Sequence, residues 1–479
     1  MAATSTQKRV GDISDAFVSL SGQGFMPLPA RYGELKGRLI RGREDDIRAS
    51  WDRLLHYLQK EIPIIEQHGS NVIPEIDFED IDKPSEQFKE ELKKRGVAVV
   101  RGVVPEEQAL QWKEDIQEYV RKNPQTRAFP ANNPQVFELY WSPSQLAARA
   151  NENLLRTQKL LMSFWHSKNP AAPLSTAHPT AYADRLRIRL PGDAQFALGP
   201  HVDGGSVERW EEGGYGLGGV YNSIWEGRWE DFDPWEASCR LPVKSDLYQG
   251  VGACSMFRMF QGWLSMSETG PGEGTLLVNP LFKAATAYYM LRPFFEPKRT
   301  PDVAGMSFLD RDNWKMEDSV TTFVQGATPG HGQELSELLH PHLRLEETMV
   351  HVPKVRPGDY VAWHCDTIHA VDKVHNGGGD SSVMYIPACP LTEDNANFLA
   401  RQRAAFIQVV SGIPCPDFGG GEGESNHIGR WGPGDVAKIA SPDGLRAFGL
   451  QEWDSSESDL TPGQREVMDR ANKALGFYA

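Results

Sequence analysis

From Leu186 onward the chain breaks into short apolar runs parted by glycine and proline turns, and no other feature narrows its possible folds as much. The runs are Leu186 to Leu190, Met256 to Met266, Thr275 to Val278, Val350 to Val352, Tyr360 to Trp363 and Val383 to Ile386. Each has the length of a strand. Several short strands separated by turn chemistry predict an antiparallel sandwich or barrel, not a doubly wound parallel sheet.

The chain ahead of this zone has another character. Residues 1–95 are charged and contain a helical pattern from Glu44 to Gln59, with Ile47, Trp51, Leu54, Leu55 and Leu58 at three- and four-residue spacing. At Gly96 the run Val97-Ala98-Val99-Val100 predicts a strand. Pro105-Glu106-Glu107 then opens a helix reaching about Arg121, because proline suits the first helical position and acids suit the positive end of the helix dipole. A second helix is expected over Asn153 to Trp165. Past Pro390, helices are expected over Ala396 to Val409 and Pro462 to Leu475, with a glycine-rich stretch at Gly419 to Gly423 between them. A chain of 479 residues exceeds the usual single-domain size. We read it as a helical extension (1–95), one enlarged β domain wrapped by helices (96–390) and a second helical extension (391–479).

Charge and cysteine usage exclude several classes. With 50 Lys and Arg against 65 Asp and Glu, the net charge of -15 repels phosphate backbones and anionic membranes, so neither nucleic acid nor membrane is an expected partner. Cys239, Cys254, Cys365, Cys389 and Cys415 include no C-x-x-C pair, which argues against a disulfide framework or a structural zinc site. No apolar leader or membrane-length segment is evident, and the expectation is a soluble, cytoplasmic protein. A homodimer is the base-rate expectation for its assembly. Gly270, Gly272 and Gly274 lack the Lys-Ser/Thr that completes a phosphate loop.

The chemistry lies in His201-Val202-Asp203. Two imidazoles and one carboxylate can hold one face of a ferrous ion and leave the opposite face open. The motif has a second copy in His364-Cys365-Asp366, and the histidines downstream distinguish the two. His369 lies far enough beyond the first copy for the intervening strands to return to the same mouth. Beyond the second copy come only the adjacent His369, then His375 and His427, with little strand before either of these. The first copy is preferred. His364 and His369 are five apart, so in a regular strand they face opposite sides and at most one reaches a shared metal. Cys365 reads as a small buried hydrophobe or, less readily, as a nucleophile. Residues 204–250 form an insertion rich in glycine and aromatics, including Trp210, Tyr215, Tyr221, Trp225, Trp229, Phe232 and Trp235. It reads either as a loop covering the site or as a satellite core plugged by large rings.

These residues resemble the Fe(II)/2-oxoglutarate-dependent oxygenases, in the style of the phytanoyl-CoA-dioxygenase-like and clavaminate-synthase-like branches, over roughly Gly96 to Pro390. The resemblance is carried by Gly96-Val-Ala-Val-Val-Arg-Gly with its Pro-Glu-Glu helix, by Pro200-His201-Val202-Asp203-Gly204-Gly205, by Gly272 to Pro280, and by Pro357-Gly358-Asp359-Tyr360 through His369. The whole chain is similar to an uncharacterised conserved-domain branch of that superfamily. The resemblance implies an α+β fold with a double-stranded β-helix core, the jelly-roll or cupin-like architecture. It implies His201, Asp203 and His369 as ligands, choosing His369 over His364 because the ligand follows the Gly-Asp strand by about ten residues. Fe(II), 2-oxoglutarate as co-substrate and dioxygen would then hydroxylate a small organic molecule.

One element departs from the pattern. Relatives carry an Arg some ten to twelve residues after the distal His, where it pairs with the far carboxylate of 2-oxoglutarate, and here that window reads Gly379-Asp380-Ser381-Ser382. Arg258, a charge amid apolar residues, is the first substitute, followed by Arg187 and Arg189. For the last two, alternation along Leu186 to Leu190 offers the ordinary reading of a solvated face, and Lys373 reads as a loop charge. Two other functions fit the same ligands: a non-catalytic sandwich binding a metal or metabolite, and a zinc hydrolase with Asp366 as base.

Overall fold

Alternation within Val97-Ala98-Val99-Val100 sends its side chains to two faces, and that division organises the protein. Val97 and Val99 enter a core that also holds Trp263, Val361 and Trp363, while Ala98 and Val100 enter a second core with Leu264, Tyr360 and Ala362. The computed structural model describes residues 13–20, 24–195, 197–250, 253, 256–408 and 423–478. Its main sheet has eight strands in the order Glu75–Asp77, Val97–Arg101, Tyr360–His364, Phe260–Ser265, Ser381–Tyr385, Leu186–Arg189, Val136–Phe137 and Ala128–Phe129. The first pair is parallel and the others are antiparallel.

The first core is shared with an antiparallel five-stranded sheet in the order Gln333–Glu334, His201–Val202, His369–Val371, Leu276–Val278 and Val350–His351. Val202, Leu276, Val278 and Val350 are its contribution to that core. Helices fill the second core: Glu106–Lys122 supplies Trp112 and Ile116, and Glu152–Met162 supplies Leu154 and Leu161. The result is a mixed α+β fold with large antiparallel sheets. No helix among the described residues is long and apolar enough to cross a membrane.

Local chemistry sets the element boundaries. The first long helix runs over Glu44–His68, past the Gln59 that periodicity predicts and through Pro63. A proline inside a helix removes one backbone hydrogen bond, yet Ile62 and Ile65 keep the last turns on the same buried stripe as Trp51 and Leu58. That stripe lies in the first core, where Trp51 stacks on Phe295 with ring centroids 4.3 Å apart. Asn151 starts the helix Glu152–Met162 by accepting the Leu154 N–H, and Thr461 starts Pro462–Ala474 by accepting that of Gln464. The helix Glu86–Arg95 ends on Gly96 at φ 70°, and a Cβ there would stand 2.7 Å from the Phe282 ring, so glycine serves both the cap and the packing. The strand expected over Met256 to Met266 is confined to Phe260–Ser265. The helix expected at Ala396 is Glu393–Gln408. Val409, Gly419 to Glu422, Cys254 and Cys415 lie outside the described residues.

The insertion resolves in favour of packing. It folds into short 3-10 turns and one helical turn, Asn222–Trp225. Trp210, Tyr215, Tyr221, Trp225, Trp229 and Phe232 are buried in the first core and Trp235 in the second. Its face toward the cavity lined by the two sheets is formed instead by Gly204, Gly205, Glu208, Ser245 and Gly250.

Candidate metal centre

His201 lies on the strand His201–Val202 directly opposite His369 on the strand His369–Val371. Opposed residues of an antiparallel pair project to one face, and the two imidazoles meet with ring centroids 4.2 Å apart. Each ring is oriented from behind. His201 Nδ1 donates to the Gly199 carbonyl at 2.7 Å, and His369 Nδ1 donates to the Thr367 carbonyl at 3.1 Å. A carbonyl only accepts, so both protons sit on Nδ1 and both Nε2 lone pairs point forward. They point at Asp203, whose Oδ1 is 3.5 Å from His201 Nε2 and whose Oδ2 is 4.0 Å from His369 Nε2. Ligand atoms of all three residues fall within 4.8 Å of one another.

The electrostatics agree with this geometry. Burial, with His201 adding to it, pushes His369 down to about 3 and so keeps its imidazole neutral. For Asp203, burial raises the pKa. That is outweighed by His369, His201 and Arg258 and by a hydrogen bond from Gln261, leaving it at about 2 and ionised at neutral pH. Three electron-pair donors converge with spacings too long for good hydrogen bonds among themselves. This donor set fits a divalent cation, with two nitrogens and one oxygen on one side of it.

The triad opens into a cavity of about 250 Å³ lined by both sheets, a volume suited to small molecules. Arg258, just ahead of the strand Phe260–Ser265, brings Nη2 within 3.8 Å of Asp203 Oδ2. Arg187 also lines the cavity. Its Nη2 donates to Gln135 Oε1 at 3.1 Å, and Tyr385 is a further hydrogen-bond partner. The solvated face that alternation allowed for Arg187 and Arg189 does not exist, since both are buried. Arg189 pairs with Asp193 at 2.8 Å and donates to the carbonyls of Asp372 and Lys373, so its guanidinium is taken up by structure. Asp193 in turn accepts from Gln135, and the orientation of Arg187 is tied to this buried network.

The second H-x-D copy is engaged elsewhere. His364 Nε2 donates to the Pro234 carbonyl at 3.0 Å, its Nδ1 accepts the Asp366 N–H at 3.0 Å, and its ring stacks on Trp165 at 4.6 Å. Asp366 forms a buried ion pair with Arg240 and accepts from Tyr221. The Asp366 pKa, raised by burial and lowered more strongly by Arg240 and His364, ends at about 2. A carboxylate so held is poorly suited to the role of base that a hydrolase reading gives it. Burial raises the Cys365 thiol to about 12, which removes the thiolate a nucleophile needs.

Sequence reasoning missed three residues here. Gln261 is a polar break in the apolar strand Phe260–Ser265, a signal that alternation could have converted into a cavity position. Glu208, pushed up to about 7 by burial, and Phe17, from far upstream, line the same cavity without any motif to announce them.

Comparison with known proteins extends this description. The Gig2-like family pattern matches residues 26–450. The uncharacterised protein YbiU of Escherichia coli (strain K12) is 32% identical over 404 residues, covering 81% of this chain and 88% of that protein. The crystal structure of GlcNAc Inducible Gene 2, GIG2, from Candida albicans is 32% identical, covers 95% of this chain and 96% of its own, and superposes with a TM-score of 0.82. A Salmonella typhimurium LT2 structure described as a candidate oxidoreductase is 31% identical, covers 89% and 99% of the two chains, and has a TM-score of 0.74.

Proposed function

The chain belongs to the Gig2-like family, and from that footing we propose that it is an Fe(II)- and 2-oxoglutarate-dependent oxygenase hydroxylating a small organic molecule, on a double-stranded β-helix core. The observation that carries the reading is the convergence of His201 Nε2, His369 Nε2 and an Asp203 carboxylate oxygen at the wall of a cavity that Arg187 and Arg258 also line. The oxidoreductase description of the Salmonella typhimurium relative is consistent with it.

A ferrous ion bound by these groups would pass electrons to dioxygen without net loss of its own, two coming from decarboxylation of 2-oxoglutarate to succinate and carbon dioxide and two from the C–H bond that is hydroxylated. His201, Asp203 and His369 bind the ion on one side. The backbone carbonyls of Gly199 and Thr367 fix the two imidazoles and strengthen their donation. Arg187, aimed by Gln135, offers a planar pair of N–H donors to the far carboxylate of 2-oxoglutarate. Arg258 holds Asp203 ionised. Trp363, its ring 5.2 Å from that of His369, helps keep bulk water from the donors.

The test is an anaerobic titration of metal-free protein with Fe(II) and then 2-oxoglutarate, read from the weak visible charge-transfer band of a chelated keto acid. A band in the wild type that is absent in His369→Ala supports the proposal. Tight iron binding without a band would overturn the co-substrate assignment and favour a metal- or metabolite-binding role.

A further inference from the structure

Far upstream of every motif, residues 16 and 17 form part of the cavity wall. Ala16 and Phe17 line it together with Gly330, His331 and Gly332. Phe17 is buried, and its ring meets the His201 imidazole edge-on, at 4.8 Å between centroids and 70° between planes. Three contacts hold it there. The Gly332 N–H donates to the Ala16 carbonyl at 2.9 Å. The Ser19 N–H donates to the Glu334 carboxylate at 3.2 Å. A Cβ on Gly332 would stand 2.6 Å from the Phe17 ring, so glycine provides its seat. Glu334 is itself the strand partner of His201 on the side away from His369, so the segment is anchored to the same strand pair that carries the first ligand.

We infer that Phe17 is a specificity-determining residue: the segment 16–19 closes the cavity over His201, and the Phe17 ring limits the size of what reaches the triad and keeps water from its imidazole. Edge-on packing is ordinary for aromatic pairs; Phe17 differs from the core rings in that it makes this contact with a candidate ligand while lining the cavity. The inference rests on the metal reading only for the second part of its test.

In the first part, metal-free protein is treated with diethyl pyrocarbonate and modification is followed residue by residue by peptide mass spectrometry. Phe17→Ala should raise the rate at His201 severalfold. His364, stacked on Trp165 in the core, should stay at its wild-type rate and so reports that the fold is intact. Phe17→Leu, which keeps an apolar side chain, should remain near wild type, and Gly332→Ala, whose Cβ claims the place of the ring, should behave like Phe17→Ala. Equal His201 rates in wild type and Phe17→Ala overturn the inference.

The second part uses Co(II)-loaded protein and follows its visible spectrum during titration with azide and with imidazole. Both should bind severalfold tighter to Phe17→Ala, the larger imidazole gaining more, and unchanged affinities for both overturn the size limit. Failure of the wild type to bind Co(II) would count against the metal reading, while the first part still decides whether Phe17 shields His201.

Discussion

His201 and His369 are directly opposed Cα partners on adjacent antiparallel strands, and their rings stand 4.2 Å apart. Register alone achieves this. A slip of one residue on either strand would turn one imidazole to the opposite face, so the pairing of two short strands decides whether the protein can hold a metal at all.

Replacing either histidine, or Asp203, with Ala should abolish metal binding while leaving the fold in place. Loss of an orienting partner costs a site roughly 10- to 100-fold in affinity, and loss of a ligand should exceed that. Metal content by elemental analysis, alongside far-UV circular dichroism, checks it. Full metal content in the His369→Ala variant would remove that residue from the ligand set.

Arg187→Met should weaken 2-oxoglutarate binding to the metal-loaded protein by roughly 10- to 100-fold, the range expected for a charged hydrogen bond. Metal affinity should be unchanged. Arg187→Lys should recover only part of the loss, because an ammonium cannot reproduce the planar fork. Isothermal titration under anaerobic conditions measures both, and a loss confined to Arg258→Met would transfer the role to Arg258.

Asp366→Ala should destabilise the protein by about 3–5 kcal/mol, since it leaves Arg240 buried without its carboxylate. Metal binding should survive in the folded fraction. Denaturant unfolding and a metal titration on one preparation separate these effects, and loss of metal without loss of stability would place Asp366 in the chemistry after all.

Glu424 gives the stability a pH dependence. Burial pushes its carboxyl from 4.5 up to about 7, although it accepts the backbone N–H groups of Tyr140 and Trp141 and lies near Arg430 and Arg149. A carboxyl whose pKa is raised by folding binds its proton more tightly in the folded state, so the contribution of Glu424 to stability falls as pH rises from about 4.5 to about 7 and then levels off. The loss is on the order of 3 kcal/mol. The stability difference between wild type and Glu424→Gln, taken from unfolding curves across that range, should fall by this amount as pH rises, because Glu208 and the buried histidines contribute alike to both proteins.

The sequence disclosed what periodicity and spacing can carry. The stripe of Ile47, Trp51, Leu54, Leu55 and Leu58 announced its helix, and the apolar runs at Val97, Tyr360 and Val383 announced central strands, because burial on both faces demands unbroken apolar residues. His201 and Asp203 could be singled out by type, but their meeting with His369 depends on a sheet register that no local pattern specifies. Ala128–Phe129, Val136–Phe137 and Gln333–Glu334 were not legible at all. Strands of two residues have no periodicity, and they are defined only by partners from elsewhere in the chain, as Gln333–Glu334 is by His201–Val202 and Val136–Phe137 by Leu186–Arg189. The tryptophans of the insertion were ambiguous for another reason: a ring that lines a pocket and a ring that fills a core use the same residue types. Gln135 and Asp193, which tie Arg187 to the buried network, carry no signal in one sequence because their importance lies in what they touch.

Strand neighbours in the main sheet come from distant parts of the chain, Val97–Arg101 lying against Tyr360–His364 and Phe260–Ser265 between two strands synthesised later. During translation the first helices can form as they emerge, but the central strands wait for partners from beyond residue 360. Such non-local pairing is slow, and the waiting edges are vulnerable to association with other chains. His201 leaves the ribosome long before His369, so the nascent chain displays donors without a chelate. An ion met early gains little from binding, so on the proposed reading metal acquisition would follow completion of the sheets instead of guiding it.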